Sequence, residues 1–177
     1  MSIMTDTMTK IAAGLERAFA SRGFAEPNVE DLRDAASVSL RTLYKYTPSR
    51  SEMVLAALEH RHRRYLSKVF DGMPDDPNAA LDALLNRVGN WMETETAHGC
   101  LFHGAVAAEP GSARLRELLE RHKTEVATCA AKVTGLVGRE IEISVILEGL
   151  TQAWALHRDA AVESAKLLGR GLRKLEI

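Results

Sequence analysis

The stretch NVEDLRDAASVSLRTLYKYTPSRSEM, Asn28 to Met53, decides how the rest of this 177-residue chain is read. Asn28 and Ser39 are small polar residues of the kind that cap helix N-termini, and each opens a short helical segment. Ala36-Ser37-Val38 between them is short enough for a tight turn, so the two segments form a helix-turn-helix. The second segment, Leu40 to Tyr46, carries Arg41, Thr42, Tyr44, Lys45 and Tyr46, residue types that reach phosphates and base edges. Ser49 and Glu52 then make a capping-box pattern that starts a long helix at Arg50.

Working outward toward the N-terminus, Met8, Ile11, Leu15, Ala18 and Phe19 recur at helical spacing and predict a first helix ending at Gly23. Met1 to Thr7 is polar and unpatterned and reads as a tail. Pro27 prevents the Phe24-Ala25-Glu26 connection from continuing as helix. On the other side, the helix from Arg50 is expected to reach Phe70. Its inward positions are Met53, Ala57, Leu58, Tyr65 and Val69; Arg61, Arg63, Arg64 and Lys68 are expected to face outward.

The run Gly72-Met73-Pro74-Asp75-Asp76-Pro77 breaks that helix. Beyond it, Leu81, Leu84, Leu85, Val88, Trp91 and Met92 predict a fifth helix, Leu101 to Glu109 a short sixth, and a long seventh capped by Ser112, with its apolar stripe from Leu115 to Val133 and its end near Gly135 to Gly138. The last two helices are expected over Arg139 to Asp159 and Ala161 to Leu175. Their apolar positions are Ile143, Ile146, Leu147, Leu150 and Trp154, then Val162, Ala165, Leu168 and Leu172. Small residues at Gly149, Ala153, Ala160, Ala161 and Gly169 let helix backbones approach closely, so this hairpin is expected to pair with its copy as a homodimer. No strand-like alternation or internal repeat is visible, and the expected class is all-α.

Composition narrows the function. Hydrophobic residues make up 46% of the chain, enough for a sizeable core, and the formal net charge is only −1. The distribution is uneven: residues 1–70 balance to +3 and residues 71–177 to −4. The basic part contains the helix-turn-helix. Cys100 and Cys129 are too few for a disulfide framework. With no signal-peptide pattern and no apolar run near the roughly 20 residues needed to span a bilayer, the expected protein is soluble, cytoplasmic and free of membrane contact.

Catalytic and metal signatures are lacking. His98, Cys100 and His103 are types that bind zinc or copper, but strong zinc signatures combine two well-separated ligand pairs, so no metal and no cofactor is assigned. The carboxylate pairs Glu93/Glu95, Glu140/Glu142 and Asp75/Asp76 point in different directions on a helix or lie in a loop. There is no phosphate loop, nucleophile elbow or His-Glu-x-x-His, and the expectation is a protein that is not an enzyme.

Over Lys10 to Leu58 the chain resembles the tetracycline-repressor (TetR) family of bacterial regulators. The matching residues are Gly23-Phe24, Val38-Ser39, Thr42-Leu43-Tyr44 and Ser49-Arg50-Ser51-Glu52-Met53, with a weaker match from Gly99-Cys100-Leu101-Phe102 to Glu109. The resemblance implies a nine-helix protein: a DNA-binding helix-turn-helix domain at 1–48, and a ligand-binding and dimerisation domain at 49–177. It implies a ligand-responsive repressor that binds a palindromic double-stranded DNA operator as a homodimer through the last two helices. By position, Thr42, Tyr44, Tyr46 and Arg50 hold phosphates and Arg41 and Lys45 read bases; with the caps Asn28 and Ser39 they make up the DNA-binding set. The effector cavity implied between helices four and eight would be lined by Trp91, Phe102, His103 and His122.

Four positions depart from the family pattern. Arg33 replaces a small residue in the second helix, Ser37 a turn glycine, Thr47 an apolar residue and Arg50 a lysine. Arg33 must snorkel outward or displace the third helix, and Ser37 must accept a left-handed backbone. If these are not accommodated, the alternative is a dimeric small-molecule or partner-binding helical protein with a degenerate helix-turn-helix.

Overall fold

The computed structural model describes residues 3–96 and 99–175, and among them the architecture is all-α with nine helices and no strand. Their order is α1 (Ile3–Arg22), α2 (Val29–Ala36), α3 (Leu40–Tyr46), α4 (Arg50–Phe70), α5 (Pro77–Glu95), α6 (Leu101–Ala108), α7 (Ala113–Val133), α8 (Glu140–His157) and α9 (Asp159–Arg173). This is the nine-helix architecture expected from the sequence. One boundary is corrected: α1 starts at Ile3, so the stretch read as a tail is helical from there.

The chain folds into two compact units, Met1–Arg64 with Thr96–Leu119, and Tyr65–Glu95 with Glu120–Ile177. The core of the first joins Ile11, Leu15 and Phe19 of α1, Leu32 of α2, Leu43 of α3 and Met53 and Leu58 of α4. Leu101, Phe102 and Ala105 of α6 and Leu115 and Leu118 of α7 belong to the same core. Helices α1 and α2 cross so closely that a Cβ on Gly14 would overlap the backbone of Ala35 and Ala36, so this position requires glycine.

Arg61, expected to face outward, is 3% exposed, which corrects the sequence reading. It is buried because Glu16, 2% exposed on α1, is buried with it. Arg61 donates to Glu16 Oε1 at 3.1 Å and Arg64 to the same oxygen at 2.6 Å, while His60 Nδ1 lies 2.6 Å from Oε2. A buried carboxylate is tolerable only when it is paired and hydrogen-bonded in this way.

In the second unit, Leu81, Leu84, Leu85 and Val88 of α5 pack with Ile143, Leu147, Leu150 and Trp154 of α8 and Val162, Ala165 and Leu172 of α9. A Cβ on Gly89 would come within 2.7 Å of Val162 Cγ2 and 3.0 Å of Trp154 Cζ3, so glycine sets this approach of α5. Leu168 corrects another expectation: it is 60% exposed and does not belong to the core.

Candidate nucleic-acid interface

The site is built on two capped helices and one left-handed residue. The side chain of Asn28 accepts from the Asp31 amide at 3.0 Å, and the Asp31 carboxylate accepts from the Asn28 amide at 2.9 Å, closing a capping box at the start of α2. That Asn28 N–H, and Arg22 at 3.3 Å, hold the Asp31 carboxyl below its ordinary pKa against a smaller opposing effect of burial. The chain then turns at Ser37, whose φ of 53° and ψ of 49° are left-handed, and its amide bonds the Asp34 carbonyl at 3.0 Å. Lys10 from α1 donates to the Ser37 carbonyl at 3.3 Å, fixing the turn from outside.

Helix α3 begins at the Ser39 cap, whose oxygen accepts from the Thr42 amide at 3.1 Å and lies 2.9 Å from the Thr42 hydroxyl. Leu43 is wholly buried and decides which face turns outward. Arg41, Tyr44 and Lys45 are exposed, and Thr42 and Tyr46 are half-buried beside them. Lys45 Nζ sits 5.6 Å from the centre of the Tyr46 ring. The Arg41 guanidinium has no hydrogen bond or ion pair among the described residues. An unpaired guanidinium beside a lysine and the Tyr44 phenol on one short helix face suits a polyanion that also offers acceptors to read, while Tyr46 packs partly on the core.

Three of the four departures are absorbed locally. Arg33 turns outward and pairs with Asp34 at 2.7 Å. Ser37 takes the left-handed conformation a glycine would take. Thr47 is 1% exposed, and its hydroxyl donates to the Leu43 carbonyl at 2.9 Å, so a polar side chain sits in an apolar position with its hydrogen bond made. The fourth, Arg50, donates to the carbonyls of Pro27, at 2.9 Å, and Phe24, and lies 5.8 Å from the Phe19 ring.

The capping box expected at Ser49 and Glu52 is half made. Ser49 accepts from the Glu52 amide at 3.2 Å, but the Glu52 carboxylate is bonded by Arg114. Arg114 is therefore the first cause of a Glu52 pKa below the ordinary carboxylate range, and Glu52 in turn raises that of Arg114.

The four residues read as lining an effector cavity fall in different places. Trp91 and His122 are buried in the second unit and both pack edge-on to Tyr65, with ring centres 5.1 and 5.3 Å from it. Phe102 is buried in the core of the first unit, and His103 is exposed on α6. The second unit also has an open cleft of about 390 Å³ lined by Asn86, Gly89, Asn90, Glu93, Trp154, Asp159, Val162 and Glu163, which sequence reading missed. His98 lies outside the described residues, and among those described no three His, Cys, Asp or Glu side chains gather as a metal site.

The Glu16 cluster was also missed, although the sequence held one signal. Ala12, Leu15, Glu16 and Phe19 follow the i, i+3, i+4, i+7 spacing of a single helix face, which places a carboxylate on an apolar stripe. Long-range pairs such as Arg114 with Glu52 leave no local trace.

One large surface remains uncovered. Ile141 and Val145 of α8, Leu156 near its end, and Leu167 and Leu168 of α9 are each 60% exposed or more. At 3.6 residues per turn, Ile141, Val145, Gly149 and Leu156 fall within about 80° of arc, and Ala160, Ser164, Leu167 and Leu168 within about 100°. Gly149 and Ala160 are exposed on these stripes, whereas Ala161 is buried within its own chain and a Cβ on Gly169 would press on Leu81 at 3.0 Å. Gly169 therefore serves packing against α5 of the same chain.

Comparison with solved structures supplies a fold. No family model matches the sequence, and no curated protein is similar to it. Among solved structures, a TetR-family transcriptional regulator from Streptomyces coelicolor superposes with a TM-score of 0.79 at 16% identity, over 95% of this chain and 94% of that one. A TetR transcription regulator from Haloarcula marismortui gives 0.74 at 16% identity, over 95% and 96%. Escherichia coli NemR in its reduced form gives 0.72 at 19% identity, over 94% and 97%. Likeness across the whole length at these scores establishes the nine-helix TetR fold.

Proposed function

We propose that this chain, built on the TetR fold, is a ligand-responsive DNA-binding transcriptional regulator that represses as a homodimer and performs no chemistry of its own. The observation that carries the reading is the outward face of α3, where Arg41 stands unpaired beside Tyr44 and Lys45 on a helix held by the Ser39 cap and the Ser37 turn. Residues 1–48 read the operator and 49–177 hold the effector and the partner copy. Arg41 and Lys45 contact base edges. Tyr44, Tyr46 and Thr42 contact phosphates, with Asn28 and Ser39 at the helix starts. Arg50, seated on the Phe24 and Pro27 carbonyls, orients the first turn of α4 next to the DNA backbone.

The apolar stripes of α8 and α9 support a twofold homodimer, because a second copy offers the same stripes in return. Two reading helices then enter successive major grooves of a palindrome, about 34–36 Å apart. The effector is read near Trp91 and His122, with Phe102 and His103 on α6 the remaining candidates. Any effector shifts the dimer toward release only as far as it binds the released state more tightly. Among the described residues no helix is long and apolar enough to cross a membrane.

Fluorescence anisotropy of the full chain against DNA from upstream of its own gene tests the reading. Arg41→Ala should lose about 5- to 150-fold of discrimination at one base pair. Arg50→Ala should weaken every sequence alike. Equal binding to operator and scrambled DNA by the unaltered protein would refute it.

A further inference from the structure

The first turn of α4 follows α3 after only Thr47, Pro48 and Ser49, and it is bonded on both flanks. On one flank, Arg50 donates to the Phe24 and Pro27 carbonyls of the α1–α2 connection. On the other, Ser51 Oγ donates to Glu109 Oε2 at 2.8 Å, and Arg114 grips both oxygens of Glu52. Glu109 ends α6 and Arg114 is in the first turn of α7. The circuit closes through Phe24, which stacks on Phe19 at 5.0 Å and lies where a Cβ on Gly104 of α6 would meet it at 3.5 Å. Beneath these bonds, α6 and the start of α7 share one apolar core with α1, α2 and α3.

We propose that Glu109 and Arg114 are positioning residues for DNA reading: through Ser51 and Glu52 the α6–α7 turn holds the first turn of α4, and with it the reading helix α3. This rests on the DNA-binding reading above and adds a part of the chain, some 60 residues further on, to the body that presents α3. Neither residue touches DNA in this account. They act by restricting how far the α3–α4 corner opens.

Amide hydrogen exchange on the full-length protein tests it without DNA, using Glu109→Gln, and Glu52→Gln and Arg114→Gln singly and together. The expected result is exchange about 2- to 5-fold faster over 40–53, with melting temperature and exchange in α8 and α9 unchanged. The double variant should be little faster than either single one, because both remove the same contact. Faster exchange confined to 109–116, or spread equally over the chain, would overturn the proposal. In parallel, Arg114→Gln and Glu109→Gln should each weaken operator binding by a similar factor, with the same dependence on salt as the unaltered protein. If the unaltered protein prefers no sequence but exchange over 40–53 still responds, the DNA reading fails and the positioning role stands. If it binds its operator and neither readout responds, the reverse holds.

Discussion

The outward face of α3 and the outward face of α8 and α9 are both uncovered, yet they ask for opposite partners. The first presents Arg41, Tyr44 and Lys45; the second presents Ile141, Val145, Leu156, Leu167 and Leu168. A cationic face with hydrogen-bond donors gains from phosphate and base edges, chiefly by releasing the counterions condensed on the nucleic acid, so that gain falls with salt. An aliphatic face gains simply by leaving water, at roughly 25 cal/mol per Å². One chain thus carries two uncovered surfaces of opposite chemistry, and its net charge of −1 conceals both.

The comparison breaks most completely at the apolar face. Leu156→Glu with Leu168→Glu would bring carboxylates together from both copies, and sedimentation should show the dimer dissociation constant raised by about 10³-fold or more. Operator binding should fall with it, although α3 is untouched. An unchanged dimer would mean that this face has some other use.

Next in size, Glu16→Ala removes the buried carboxylate that Arg61, Arg64 and His60 share and should cost about 3–5 kcal/mol in chemical denaturation. Loss of DNA binding with the dimer retained would show that the cluster serves the first unit alone. Arg41→Ala, at about 1–3 kcal/mol, should alter base preference and leave the dimer intact.

Smaller effects sharpen the turn. Ser37→Gly removes the strain of a left-handed serine but frees the unfolded chain, so thermal melting should show a gain of no more than about 1 kcal/mol. The Asp31 cap should respond to acid. Its carboxyl is held below its ordinary pKa in the folded protein, so its contribution is present above the unfolded value, near 3.9, and is lost as pH falls through the folded one. Amide shifts of Asn28 and Asp31 should follow that titration, and Glu52, depressed by Arg114, should behave alike.

Much of the helix-turn-helix was legible in the sequence because caps are local chemistry. Asn28 and Ser39 locate α2 and α3, and Leu40–Tyr46 is the helix the sequence predicts. Periodicity alone says less about what an apolar stripe faces. Leu168 satisfies the spacing of a core residue yet is 60% exposed, because periodicity marks an apolar stripe without saying whether the chain itself covers it. Arg61 was misread for the converse reason: its charge argued for solvent, while the partner that allows burial lies 45 residues away on α1. The clamp of Glu109 and Arg114 on the first turn of α4 joins residues about 60 apart, which no local pattern records.

The face of α3 is proposed to read sequence. This is tested most directly by titrating the full chain with its own upstream DNA and with a scrambled duplex of equal length and composition, at low and moderate salt. Two protomers per palindrome, tighter binding to the upstream DNA at both salts and a preference reduced by Arg41→Ala are expected. Equal affinity for the two duplexes, falling alike with salt and indifferent to Arg41, would contradict that role.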